Sequence, residues 1–303
     1  MIDGRMTDRT HTYKSHGRIA SRIAKFLWIG LVALIPAGAD AASPEQAYLA
    51  ARNVQIRRLA ALSKPDPGSE QVLKAHDQAV AELQNQLRRV VGPSKLELPG
   101  LPAEGKINND TLTEGDQGFG MLDGLRYASE DHKTWAVVTT EGLFKVWLRE
   151  HRKWWRDNNV PQDPANALRH MSFYTQAVST DAAAFKYVEL PIRKPAAASL
   201  AFAMLGTSAQ DIGPWEAEDV TVALLQGGKL YVVRVKSSAK IGPFPSCKAQ
   251  WDQAIKKSRG NLKREDQDHA AFLRCFAERA PREKDFADLV HQAQEIADKL
   301  PVK

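Results

Sequence analysis

The chain has 303 residues, 42 of them basic and 36 acidic, for a formal charge of +6. The excess cations sit at its start: residues 1–41 hold six basic and three acidic side chains, and the 262 residues beyond them carry 36 against 33. A formal charge of +3 on so long a chain is an ordinary protein surface, which argues against a nucleic-acid partner, and the length provides for one large or two small domains.

Arg18, Arg22 and Lys25 precede an uncharged apolar run, Phe26 to Ile35, which Pro36 breaks before Ala39-Asp40-Ala41. The order of cations, apolar core and small-x-small residues marks a secretory signal peptide over 1–41, cut between Ala41 and Ala42. The apolar run of ten residues falls short of the ~20 that a spanning helix needs, so no transmembrane span is expected in the mature chain. The expected location is the periplasm or the extracellular space.

Residues 42–92 read as a helical hairpin. Ser43-Pro44-Glu45-Gln46 is a capping box with proline at the first helical position, and Pro65-Asp66-Pro67-Gly68 stops the helix it starts. Ser69 caps a second helix whose apolar residues recur at steps of three and four from Val72 to Val90, ended by Gly92-Pro93. His76 falls on that stripe, where a packing role is expected. Prolines and glycines over 93–119 predict an extended linker.

From residue 120 the pattern turns to strands. Leu122–Tyr127 and Thr134–Thr139 form a hairpin around a charged turn, and Thr140 caps a helix from Glu141 to Arg156. A short helical turn is expected over Asp163–Arg169 and a strand over Ala183–Leu190, while Ala196–Leu205 fits helix or strand. Val220–Leu225 and Lys229–Lys236 flank Gln226-Gly227-Gly228, whose glycine pair suits a primed hairpin turn. Helices are expected at 247–258, 265–280 and 284–299. The expected fold is therefore α+β, with an N-terminal helical hairpin, an antiparallel-rich mixed sheet over 120–303 and C-terminal helices. Cys247 and Cys275 are the two cysteines, and in an exported chain they are expected to form one disulfide that ties those helices.

Helix 141–156 holds the candidate binding surface. Lys145, Arg149, Arg152, Lys153 and Arg156 recur at helical spacing as a basic stripe, and Trp147, His151 and Trp154 follow one another along the helix with Phe144, Leu148 and Trp155 beside them. Arginine next to tryptophan suits phosphates, anionic headgroups or acidic glycans. A plain amphipathic helix, with its tryptophans in the core and its cations in water, has the same pattern. A second basic cluster at 256–264 runs into Glu265 and Asp266 and reads as a solvated turn.

No catalytic constellation is local in the sequence. Ser237-Ser238-Ala239-Lys240 fits Ser-x-x-Lys, but it trails a strand and not the start of a helix, and its partner motifs are missing. The six histidines beyond residue 41 lack metal-ligand spacing, so no metal site and no cofactor are expected. What is expected is a non-catalytic binding or envelope-associated protein, whose partner is an envelope protein or an anionic surface. The alternative is an extracytoplasmic hydrolase with an active site assembled from residues distant in sequence.

Overall fold

A computed structural model describes residues 42–63, 69–93, 96–107, 122–150, 188–207, 217–258, 271–272 and 274–300. The chain divides into units Met1–Ala41 and Ala42–Lys303, and every described residue lies in the second. The expected turn at 163–169 and most of the expected strand at 183–190 lie outside the described residues.

Local rules set the helical hairpin. Helix α1 (Pro44–Ser63) starts on the reciprocal capping box: Ser43 N–H donates to Gln46 Oε1 at 3.0 Å, and Gln46 N–H donates to Ser43 Oγ at 3.3 Å. Helix α2 (Glu70–Val91) is capped by Ser69, which accepts from Val72 N–H at 3.4 Å. Its buried row is Val72, Ala75, Ala79, Leu83, Leu87 and Val91, one stripe of a 3.6-residue period. His76 lies beside that row and is partly buried. Beyond α2 the extended segment 96–107 buries Leu96, Leu98 and Ile107.

The described strands are β1 (Leu125–Ala128), β2 (Thr134–Thr140), β3 (Glu189–Leu190), β4 (Ala198–Thr207), β5 (Ala217–Gln226) and β6 (Lys229–Ile241). They form one sheet in the order β1-β2-β6-β5-β4-β3. The sequence pattern predicts an antiparallel-rich sheet, and every pairing among the described strands is antiparallel. In the β1–β2 turn, Ser129 Oγ donates to Asp131 Oδ1 at 2.7 Å, and that bond first, with help from Lys133, holds the Asp131 carboxyl down to about 2. Gly227 and Gly228 take φ values of 57° and 73° between β5 and β6, as a primed turn requires.

Both faces of the sheet are buried. Val138, Tyr231, Val233, Val220, Val222, Leu224 and Leu205 face one side, where α1 and α2 pack with α5 (Phe286–Lys299). Val137, Leu230, Val232, Ala223, Leu225, Phe202 and Met204 face the other, where Phe144 and Trp147 of α3 (Glu141–Glu150) cover them. Two-sided burial explains the apolar runs Val222–Leu225 of β5 and Leu230–Val233 of β6, since a strand with one wet face would alternate. Helix α4 (Pro245–Ser258) follows β6, and residues 274–279 are helical before α5. Cys247 of α4 is bonded to Cys275.

Gly124, just before β1, is packed too closely for a side chain. A Cβ there would meet Val137 Cγ1 at 2.7 Å and the Val138 carbonyl oxygen at 2.9 Å. Gly124→Ala is expected to cost about 1–3 kcal/mol through overpacking, read as a lower urea midpoint. A wild-type midpoint would mean that the loop yields freely.

Candidate functional site

Helix α3 grows directly out of β2. Thr140 Oγ1 accepts from Leu143 N–H at 3.1 Å, and Glu141 N–H donates to the Gly228 carbonyl at 2.7 Å, so the helix start is pinned to the β5–β6 turn. Leu143, Phe144 and Trp147 then point into the core, with the Phe144 and Trp147 ring centroids 6.1 Å apart. The opposite side carries Lys145 and Arg149, one turn apart and both exposed. Lys145 Nζ lies 2.7 Å from Glu141 Oε1, and Arg149 has no acidic partner among the described residues. Of the other candidate binding residues, Arg152, Lys153, Trp155 and Arg156 lie outside the described residues, as does Ala41; Ala42 is exposed just ahead of α1.

A polar cluster that the sequence does not reveal joins α1, the 122–124 loop, β2 and Glu150 of α3. Asp123, in the loop before β1, has a side chain only 5% exposed. Tyr48 Oη donates to its Oδ1 at 2.9 Å, and Arg52 Nη1 donates to its Oδ2. Arg52 Nη2 also reaches Glu150 Oε1 at 3.2 Å, and Thr139 Oγ1 donates to the Asp123 carbonyl. Four elements thus meet around one residue: α1, the 122–124 loop, β2 and the end of α3. The one local sign is that Tyr48 and Arg52 sit four residues apart on a helix; nothing near Asp123 announces its partners, 75 and 71 residues away.

The electrostatics of the cluster are set by burial. Burial pushes the Asp123 carboxyl above the usual carboxylate range, and Arg52 and the Tyr48 hydrogen bond pull the other way without cancelling it. The Tyr48 hydroxyl is raised by burial first and by the Asp123 charge second. Burial works against the Arg52 cation, but Asp123 and Glu150 outweigh it and raise its pKa. Both Asp123 oxygens are occupied by donors from one turn of α1, so the arrangement is chemically a clamp. The clamp is imperfect: Arg52 Nε and Gln55 Oε1 are buried with no hydrogen-bonding partner among the described residues.

A second charged group lies where β5 meets β6. Glu218 takes Lys236 Nζ at 2.6 Å and Lys240 Nζ at 3.3 Å, and the Lys236 hydrogen bond, more than any other interaction, lowers its carboxyl pKa. Asp219 accepts from Arg234 Nε at 3.1 Å. The register explains the grouping: Asp219 pairs with Lys236 and Ala217 with Ile241, so residues 237–240 bulge out opposite Glu218. Ser237 and Lys240 of the Ser-x-x-Lys match lie in this bulge; Ser237 Oγ accepts from Ala239 N–H at 3.1 Å, and Lys240 turns to Glu218. The described residues hold no group of three or more histidine, cysteine or acidic side chains placed to bind a metal. None of their helices is long and apolar enough to cross a membrane.

No protein-family model, curated protein or solved structure matches the chain.

Proposed function

We propose that this is an exported, non-catalytic binding protein of the cell envelope, working in the periplasm or outside the cell, which meets an anionic surface through the cationic side of α3. The observation that carries this is the two-sidedness of that helix. Its apolar side is locked into the sheet by Leu143, Phe144 and Trp147, while Lys145, paired with Glu141, and Arg149 are exposed on the other side. Export is supported by the basic, apolar and small-residue order over 18–41 and by the disulfide, a bond that persists in oxidising compartments.

The test uses residues 42–303 and two kinds of vesicle, one containing phosphatidylglycerol and one of phosphatidylcholine alone. Sedimentation with the first kind only, abolished in high salt, is expected. A lysine or arginine near an anionic surface contributes about 1 kcal/mol. Lys145→Gln with Arg149→Glu is therefore expected to weaken association by about tenfold or more, with the melting temperature unmoved, since both side chains are exposed. Undiminished association of the variant overturns the proposed surface. Export is tested separately: protein from the envelope fraction is expected to begin at Ala42, and recovery from the cytosol with residues 1–41 intact and both thiols reduced overturns it.

A further inference from the structure

The two helices of the hairpin are seated differently. Helix α2 buries six apolar side chains, whereas α1 buries three side chains, Tyr48, Gln55 and Leu59, of which Gln55 is polar and Tyr48 carries a buried hydroxyl. Its ties to its surroundings are correspondingly polar: Tyr48 and Arg52 to Asp123, Arg52 to Glu150, and Gln55 Nε2 to Glu82 Oε2 of α2 at 2.9 Å. The Tyr48 ring and Leu59 are its buried apolar anchors, with Leu49, Ala51, Ile56 and Leu62 partly buried. The seat also leaves two buried polar atoms without a partner among the described residues, Arg52 Nε and Gln55 Oε1. Each loses its hydration when α1 docks and regains it when α1 leaves, so docking works against itself at the two positions nearest the clamp. Local opening is drawn from elements with few apolar anchors and imperfectly satisfied polar groups.

We propose that α1 is a releasable strap: the Asp123 clamp holds it against α2, the 122–124 loop and the end of α3, and it opens as a unit while α2 and the sheet stay folded. Release exposes the Asp123 carboxyl and the α2 surface under α1, and it frees Glu150 at the end of the cationic helix from Arg52. Release of α1 does not depend on whether α3 meets an anionic surface.

Amide hydrogen exchange read by mass spectrometry on residues 42–303 tests it, because a sub-global opening has its own thermodynamics. In the wild-type protein, peptides from 44–63 are expected to exchange at least about tenfold faster than those from 70–91 and 217–226. Asp123→Asn weakens the bonds that the opening breaks, and so speeds exchange over 44–63. Cys247→Ser with Cys275→Ser destabilises the whole fold but not the strap, so it speeds exchange over 217–226 by a larger factor than over 44–63. Exchange of 44–63 in step with the sheet overturns the proposal. So does acceleration of both regions by one factor in the cysteine variant, which marks a single cooperative unit.

Discussion

Arg52→Ala is expected to lower the folding free energy by about 3–5 kcal/mol, the loss typical when one member of a buried ion pair is removed. The reason is what remains: a carboxyl group with a side chain 5% exposed, its Oδ2 stripped of a charged donor and the Tyr48 hydroxyl its last side-chain partner. Protonation limits the damage, because burial already raises the Asp123 pKa in the intact cluster. In a fold of this size the melting temperature is expected to fall by roughly 10 °C. Replacing the whole cluster with apolar residues of similar shape, Arg52→Met, Asp123→Leu and Tyr48→Phe together, is expected to restore most of the loss, since no unpaired buried charge is left. A triple variant as unstable as Arg52→Ala would show that the cluster stabilises through its charges and not through the absence of orphans.

The same cluster sets a pH dependence whose sign is opposite to that of an exposed salt bridge. A carboxyl group whose folded pKa lies above its unfolded value binds a proton more tightly when folded. Its contribution is fully present below the unfolded value, near 3.8, and is lost as pH rises through the folded one. Asp123→Asn is expected to flatten that part of the stability curve, measured by urea midpoints across the range. A curve of unchanged slope in the variant would assign the dependence to other groups.

Cys247→Ser with Cys275→Ser is expected to cost roughly 3–4 kcal/mol, the chain-entropy loss for a bridge across 28 residues. The bridge joins the first turn of α4 to the helical residues 274–279, and the packing around it is aromatic: Phe244 on Phe276 with centroids 5.0 Å apart, and Trp251 on Phe272 at 6.0 Å. Those rings depend on α4 and 274–279 staying together, so the apolar packing weakens with the bond. Chemical denaturation of the wild type with and without reductant reports the effect, with the serine variant as control. Cys247 is fully buried, so reduction is expected to need opening of this region first. A serine variant matching the wild-type midpoint would show that packing alone holds these helices.

Much of the architecture is legible in the sequence, because it is written by rules that act within a few residues. The capping box at Ser43, the Ser69 and Thr140 caps and the glycine pair at 227–228 each need only their own neighbours, and each is found where those residues stand. Periodicity marks α2 for the same reason. The cysteine pair is legible because a chain with two cysteines has one possible bridge. Ala196–Leu205 is the instructive ambiguity: its alanines favour helix and its larger residues fit either state. It became β4 because β5 offers a ladder from Ala198 to Thr207 and both faces of the sheet offer burial, which no local propensity can foresee.

Length, caps, turns, the apolar stripe of α2 and the two-sided character of α3 were thus determined by the sequence alone. Only the tertiary structure decided the strand order, the two-faced burial of the sheet, the bulge that gathers Lys236 and Lys240 onto Glu218, and the clamp at Asp123. The physical reason is range. A cap or a turn is an interaction between neighbours along the chain, whereas the clamp brings Asp123 to side chains more than 70 residues away, and its strength comes from water excluded by the packing of all the elements around it.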